Sequence, residues 1–204
     1  MTEQHHLNRI RLLSSRFYEL QGLRVALTGA CISLVVGGYL VAAPRPTDNG
    51  AMIALLISFA PVIPGVWWLN RYYAATFGRQ VWRPPRHAPL VVLGFYVVAA
   101  SLNTWIPEIP AGAPTMAVVA VASMWVAIRD WPDRAYYLGA TAAVVTGFAA
   151  TASGAGLLAP NLTLGTMFLL IGASLVPIGI LDHLLLVTLM REVRESQNAE
   201  RAGI

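Results

Sequence analysis

Lysine is absent from this chain, and all fourteen of its basic residues are arginine. Charge of either sign is scarce: 12% of the 204 residues, against about 25% in an ordinary soluble domain. So few charges cannot cover a surface that faces water, which excludes a water-soluble globule. Cysteine is reduced to Cys31, which lies within the first apolar run, so an intrachain disulfide and a cysteine-based metal site are both excluded. Catalytic signatures are missing as well. There is no H-E-x-x-H, no G-x-S-x-G and no pair of intramembrane aspartates, which argues against a metalloprotease, a serine hydrolase or an aspartyl intramembrane protease. Without G-x-x-x-x-G-K-[ST], any ATP would have to be bound by another subunit. His5, His6 and His87 fall in polar segments, so a bis-histidine haem within the membrane is excluded; a single axial ligand from His183 stays open, and no cofactor or metal is assigned. The net charge of +4 is spread over several short segments with no dense basic face, which gives no reason to expect nucleic acid as a partner.

Apolar residues, in contrast, make up 56% of the chain, and the mean hydropathy is +0.60. They fall in runs long enough to cross a hydrocarbon core of about 30 Å. Six runs are predicted as transmembrane helices, at 23–43, 51–69, 89–106, 113–128, 135–158 and 164–190. The first is too long for the hydrophobic region of a secretory signal and is read as a retained helix. The expectation is an all-α integral membrane protein with three parts: an amphipathic cytoplasmic-surface helix over 1–22, a six-helix transmembrane domain over 23–190, and a short charged cytoplasmic tail over 191–204.

Arginine placement tests the span count, because cytoplasmic segments retain arginine and translocated ones lack it. With six crossings, thirteen of the fourteen arginines fall on one side and only Arg45 on the other. Both termini are therefore expected in the cytoplasm, and the protein in the cell (inner) membrane. In the N-terminal segment, Leu7, Ile10, Leu13, Phe17, Tyr18 and Leu20 form a stripe at helical spacing, with Arg9, Arg16 and Glu19 opposite. That pattern suits a helix lying on the membrane surface, or one docking a cytosolic partner.

Close helix approach in lipid relies on small residues. Gly29, Ser33 and Gly37 recur at intervals of four in span one, as do Gly139, Ala143 and Gly147 in span five, and these two spans are expected to be central. Span six carries Gly165, Gly172 and Gly179 at intervals of seven, a heptad stripe. Such rows serve packing within one chain or the seam of a homodimer. Pro61 and Pro64 in span two and Pro177 in span six remove backbone donors, so kinks or hinges are expected there.

The one ionisable cluster inside an apolar run is Asp182-His183. Placed from a boundary near Met190, Asp182 is about 12 Å deep at 1.5 Å per residue, where an ionised aspartate costs on the order of 2.5–3.5 kcal/mol and demands a partner. Adjacent residues on a helix point about 100° apart, so His183 cannot be the whole answer. Arg24 is the expected counter-ion by depth, with Arg71 or Arg129 as substitutes. The pair Asp182 and His183 is either structural or an intramembrane ligand, ion or proton site. Arg71, Arg79, Arg83 and Arg86, interleaved with Tyr72, Tyr73, Phe77 and Trp82, form a candidate contact for anionic lipid head groups or a protein partner.

Six spans in about 200 residues, with the Ala26-x-x-x-Ala30 spacing in span one, are similar to the substrate-binding S components of energy-coupling-factor transporters. The resemblance is one of architecture. The residues themselves point first to a non-catalytic accessory or interaction subunit of a membrane complex. The alternative is a small-solute or ion transporter component with its site near Asp182.

Overall fold

Pro44 decides where the first helix stops. Its ring disfavours helical backbone in the residue before it, and Ala43 is accordingly extended at φ −73°, ψ 129°, closing helix α1 at Leu23–Ala42. The computed structural model describes residues 17, 19–77, 113–153 and 163–202, and among them every regular element is helical. Four helices follow α1: α2 (Asp48–Phe77), α3 (Ala113–Arg129), α4 (Tyr136–Ala152) and α5 (Thr163–Ala202). Three of the five, α1, α2 and α5, are long and apolar enough to cross a membrane, while α3 and α4 are shorter apolar helices. The third expected span, 89–106, lies outside the described residues.

Two boundaries differ from expectation. Asn70-Arg71 does not end the second span: α2 runs on to Phe77 and is helical through Pro61 and Pro64. Likewise α5 passes Pro177 and Met190 without a break and ends only at Ala202, a helix of 40 residues and about 60 Å at 1.5 Å per residue. Hydropathy marks where a helix leaves apolar surroundings, whereas the helix stops only where its backbone bonding does, so the charged tail remains helical.

α5 is the central element, packed against α1, α4 and α2, and α3 packs against α4. The tightest seam joins α1 to α5. A methyl group placed on Gly29 would stand 2.5 Å from the Gly172 carbonyl oxygen, and one on Gly172 would meet Ser33 Oγ at 2.9 Å. Two turns nearer the start of α1, Gly22 and Gly179 exclude any side chain from each other's backbone in the same way. The glycine rows of spans one and six thus face one another. A methyl on Gly139 of span five would meet nothing within 4 Å and one on Gly147 would first meet the Leu170 side chain, so among the described residues it is span six, not span five, whose glycines face the row of span one.

These contacts also set directions. Gly22 lies by Gly179 while Leu40 lies by Gly165, so α1 and α5 are antiparallel. Tyr73 reaches Leu23 and His183, while Asp48 reaches Leu164, so α2 runs with α5. At the end where α1 leads into α2, Asp48 Oδ1 accepts from the Leu164 and Gly165 amides, each at 3.1 Å, and so caps α5. At the opposite end, Phe17 and Leu20 are buried with Leu69, Tyr73, Leu186 and Leu189. These two members of the amphipathic stripe face the protein rather than a membrane surface, and Glu19 points away from them; the rest of the stripe is outside the described residues.

Candidate functional site

Gly179 lets α1 come so close to α5 that the residue one turn further along α5, Asp182, has its Cβ against Gly22. Asp182 is 1% exposed. Its carboxylate is held by side chains from the start of α4 and from the turn before it. From α4, the Tyr136 hydroxyl donates to Oδ1 and the Tyr137 hydroxyl donates to Oδ2 at 2.8 Å. Arg134, in the turn that joins α3 to α4, brings Nε to 3.0 Å from Oδ1. That contact is an ion pair by distance without a hydrogen bond along the N–H direction.

Arg134 is itself enclosed, its side chain 3% exposed, and serves two further carboxylates. Its Nη1 is 3.2 Å from Asp130 Oδ2 and 3.2 Å from Glu19 Oε2. Arg129 repeats the pattern nearer the surface, with Nε 3.0 Å from Asp130 Oδ1 and Nη2 2.6 Å from Glu19 Oε2. Two guanidinium groups therefore hold three carboxylates drawn from the N-terminal segment, the α3–α4 turn and α5. Burial by itself would lower the Arg134 pKa, but the Asp182 carboxylate outweighs it, with Tyr137, Tyr136 and Glu19 adding in the same direction. The guanidinium is held above its ordinary value and stays charged.

His183, the next residue, faces elsewhere, as helical spacing requires. Its Nδ1 is 3.1 Å from the Tyr73 hydroxyl, which accepts from the Leu23 amide at 3.2 Å. Tyr72, Tyr73 and Phe77 of α2 surround the imidazole, with ring centroids 5.8–6.5 Å away. Asp182 thus joins α5 to α4, and His183 joins α5 to α2 and to the start of α1.

The expected counter-ion is corrected by this geometry. Arg24 lies with its guanidinium 5.6 Å from the Tyr73 ring centroid, and the cation paired with Asp182 is Arg134. Of the substitutes, Arg129 belongs to the same network one carboxylate removed, and Arg71 stacks over Trp67 at 3.7 Å. Arg79, Arg83 and Arg86 lie outside the described residues. Asp182 stands level with the start of α1 at Gly22 and is tied to the start of α4 through Tyr136 and Tyr137. Arg134, Tyr136, Tyr137, Asp130 and Glu19 carry the site and were not singled out from sequence for this role. The signal was present in Asp130 and Arg134 at a spacing of four, with two tyrosines starting two residues later at the mouth of an apolar run.

Next to the cluster, between α3, α4 and α5, is a cavity of about 20 Å³ that touches Ser123, Thr141 and Ser174, room for about one water molecule. Among the described residues no three His, Cys, Asp or Glu side chains are placed to hold a metal ion. No protein-family model matches the chain, and no curated protein or solved structure matches it. The likeness to S components accordingly rests on span count and spacing alone.

Proposed function

We propose that this is a six-span protein of the cell inner membrane, with both termini in the cytoplasm, that works without catalysis as an accessory or interaction subunit of a membrane complex. The observation that carries the reading is the saturation of Asp182. Both its oxygens accept from tyrosines, its charge is met by Arg134, and the cavity one turn away has room for about one water. A solute carrier needs a polar pocket near the midplane with groups left to coordinate its cargo. An acid engaged on every side is instead a joint, here between α5, the α3–α4 turn and the N-terminal segment. Helix direction supports the span count. α2 and α3 run the same way, so the chain between them has to return across the bundle, which a span at 89–106 provides. The arginine partition then sets the orientation.

Two measurements test this. On a Cys31→Ser background, an impermeant maleimide applied to intact cells should modify Glu108→Cys and spare Ala199→Cys; modification of Ala199→Cys overturns the topology. Native mass spectrometry from mild detergent should give one assembly of constant stoichiometry containing a second, different chain. A lone chain stabilised by a small solute, with that stabilisation lost in a folded Asp182→Asn variant, would overturn the subunit reading in favour of a transport site.

A further inference from the structure

Where α2 and α5 emerge at their arginine-bearing end, a groove of about 510 Å³ opens between them, lined by Thr76 and Phe77 of α2 and by Val187, Met190, Arg191, Val193 and Arg194 of α5. Of its α5 residues, 187, 190, 191 and 194 follow the three- and four-residue spacing of one helix face, and Val193 borders that face. Along that face the chemistry changes in order. Val187 and Met190, with Phe77 opposite, make an apolar floor toward the body of the bundle, and Arg191 and Arg194 close the outer end. Arg194 has no carboxylate partner among the described residues. Arg191 pairs with Glu195 at 2.8 Å, but both side chains are largely exposed, and an exposed pair of this kind is weak enough to be exchanged for a better anion.

We propose that this groove binds one anionic phospholipid, its phosphate on Arg191 and Arg194 and the first part of an acyl chain along Val187 and Phe77. Charge and polarity select this occupant. Two guanidinium groups favour a head group of net negative charge over a zwitterionic one, and an apolar floor that continues into the hydrocarbon suits an acyl chain. A soluble anion would use only the outer half of the groove. The inference rests on the membrane reading above but not on the subunit assignment, and it concerns arginines other than those of the second cytoplasmic segment.

The full-length protein, reconstituted in vesicles of equal parts phosphatidylglycerol and phosphatidylcholine with identical acyl chains, is extracted in mild detergent, and retained lipid is counted by native mass spectrometry. One phosphatidylglycerol should be kept in preference to phosphatidylcholine. Arg194→Gln should lower that preference about fivefold and the double change with Arg191→Gln about thirtyfold, a factor of about five for each surface arginine. Arg45→Gln, which removes the same charge at the opposite end of the bundle, should leave it unchanged. Equal retention of the two lipids, wild-type retention by the double variant, or an equal loss in Arg45→Gln overturns the site. Displacement of the lipid by inorganic phosphate also overturns it, since the acyl chain would then contribute nothing. Failure to incorporate into vesicles at all sinks the membrane reading with it.

Discussion

Replacing Arg134 by glutamine should be the most damaging single change at the Asp182 site, more so than replacing Asp182 itself. Arg134→Gln leaves the Asp182 carboxylate, 1% exposed, with two tyrosine hydroxyls and no cation. Breaking a buried pair from one side costs about 3–5 kcal/mol. Asp182→Asn leaves Arg134 less exposed to imbalance, because Asp130 and Glu19 still lie 3.2 Å from Nη1. Its cost should be nearer the 1.5–3 kcal/mol, roughly, of a hydrogen bond to a charged group. The double variant should recover part of the Arg134→Gln loss, with a coupling of about 0.5–3 kcal/mol, the range for residues in one network. Unfolding by sodium dodecyl sulfate in mixed micelles, with thermal unfolding as a second probe, gives the four stabilities. Arg24→Gln supplies the comparison: combined with Asp182→Asn it should add to within about 0.5 kcal/mol, as independent sites do. Additivity of the Asp182 and Arg134 changes, or an Asp182→Asn cost that matches the Arg134→Gln cost, would refute the pairing.

Tyr137→Phe deletes the 2.8 Å donor to Oδ2 and should cost about 1.5–3 kcal/mol in the same assay, whereas Tyr72→Phe, which leaves the ring contacts in place, should stay within about 0.5 kcal/mol. Gly29→Ala would set a methyl 2.5 Å from the Gly172 carbonyl, a backbone atom that cannot turn aside, and should cost at least about 1–3 kcal/mol. Gly139→Ala has nothing within 4 Å and should be neutral or gain up to about 1 kcal/mol of helix stability; equal effects of the two would remove the seam argument. By the same reasoning Ser33→Leu should reduce the yield of folded protein far more than Ala42→Leu at the exposed end of α1.

Much of the architecture was legible before any coordinates because it depends on sums along the chain. Hydropathy over a window located α1, α3 and the apolar parts of α2, α4 and α5, and Pro44 marked the end of α1 through a purely local steric effect. The small-residue rows of spans one and six were visible for the same reason, since a missing side chain is a property of the residue itself. Which row meets which was not visible. It depends on how each helix is rotated about its axis, and the choice between span five and span six as the partner of span one was settled only by packing. The charged site shows this most clearly. Arg24, Arg71, Arg129 and Arg134 all stand at the same end of the bundle, so depth could not single out one of them for Asp182. The tertiary structure chose Arg134 because Gly22 and Gly179 draw α1 onto one side of α5, leaving Asp182 to face α4 and the turn before it. His183, about 100° around the same helix, was thereby turned to Tyr73. Sequence determined that a buried acid needed a cation at that level; the angular order of helices around α5, a property no single segment carries, decided which cation it received.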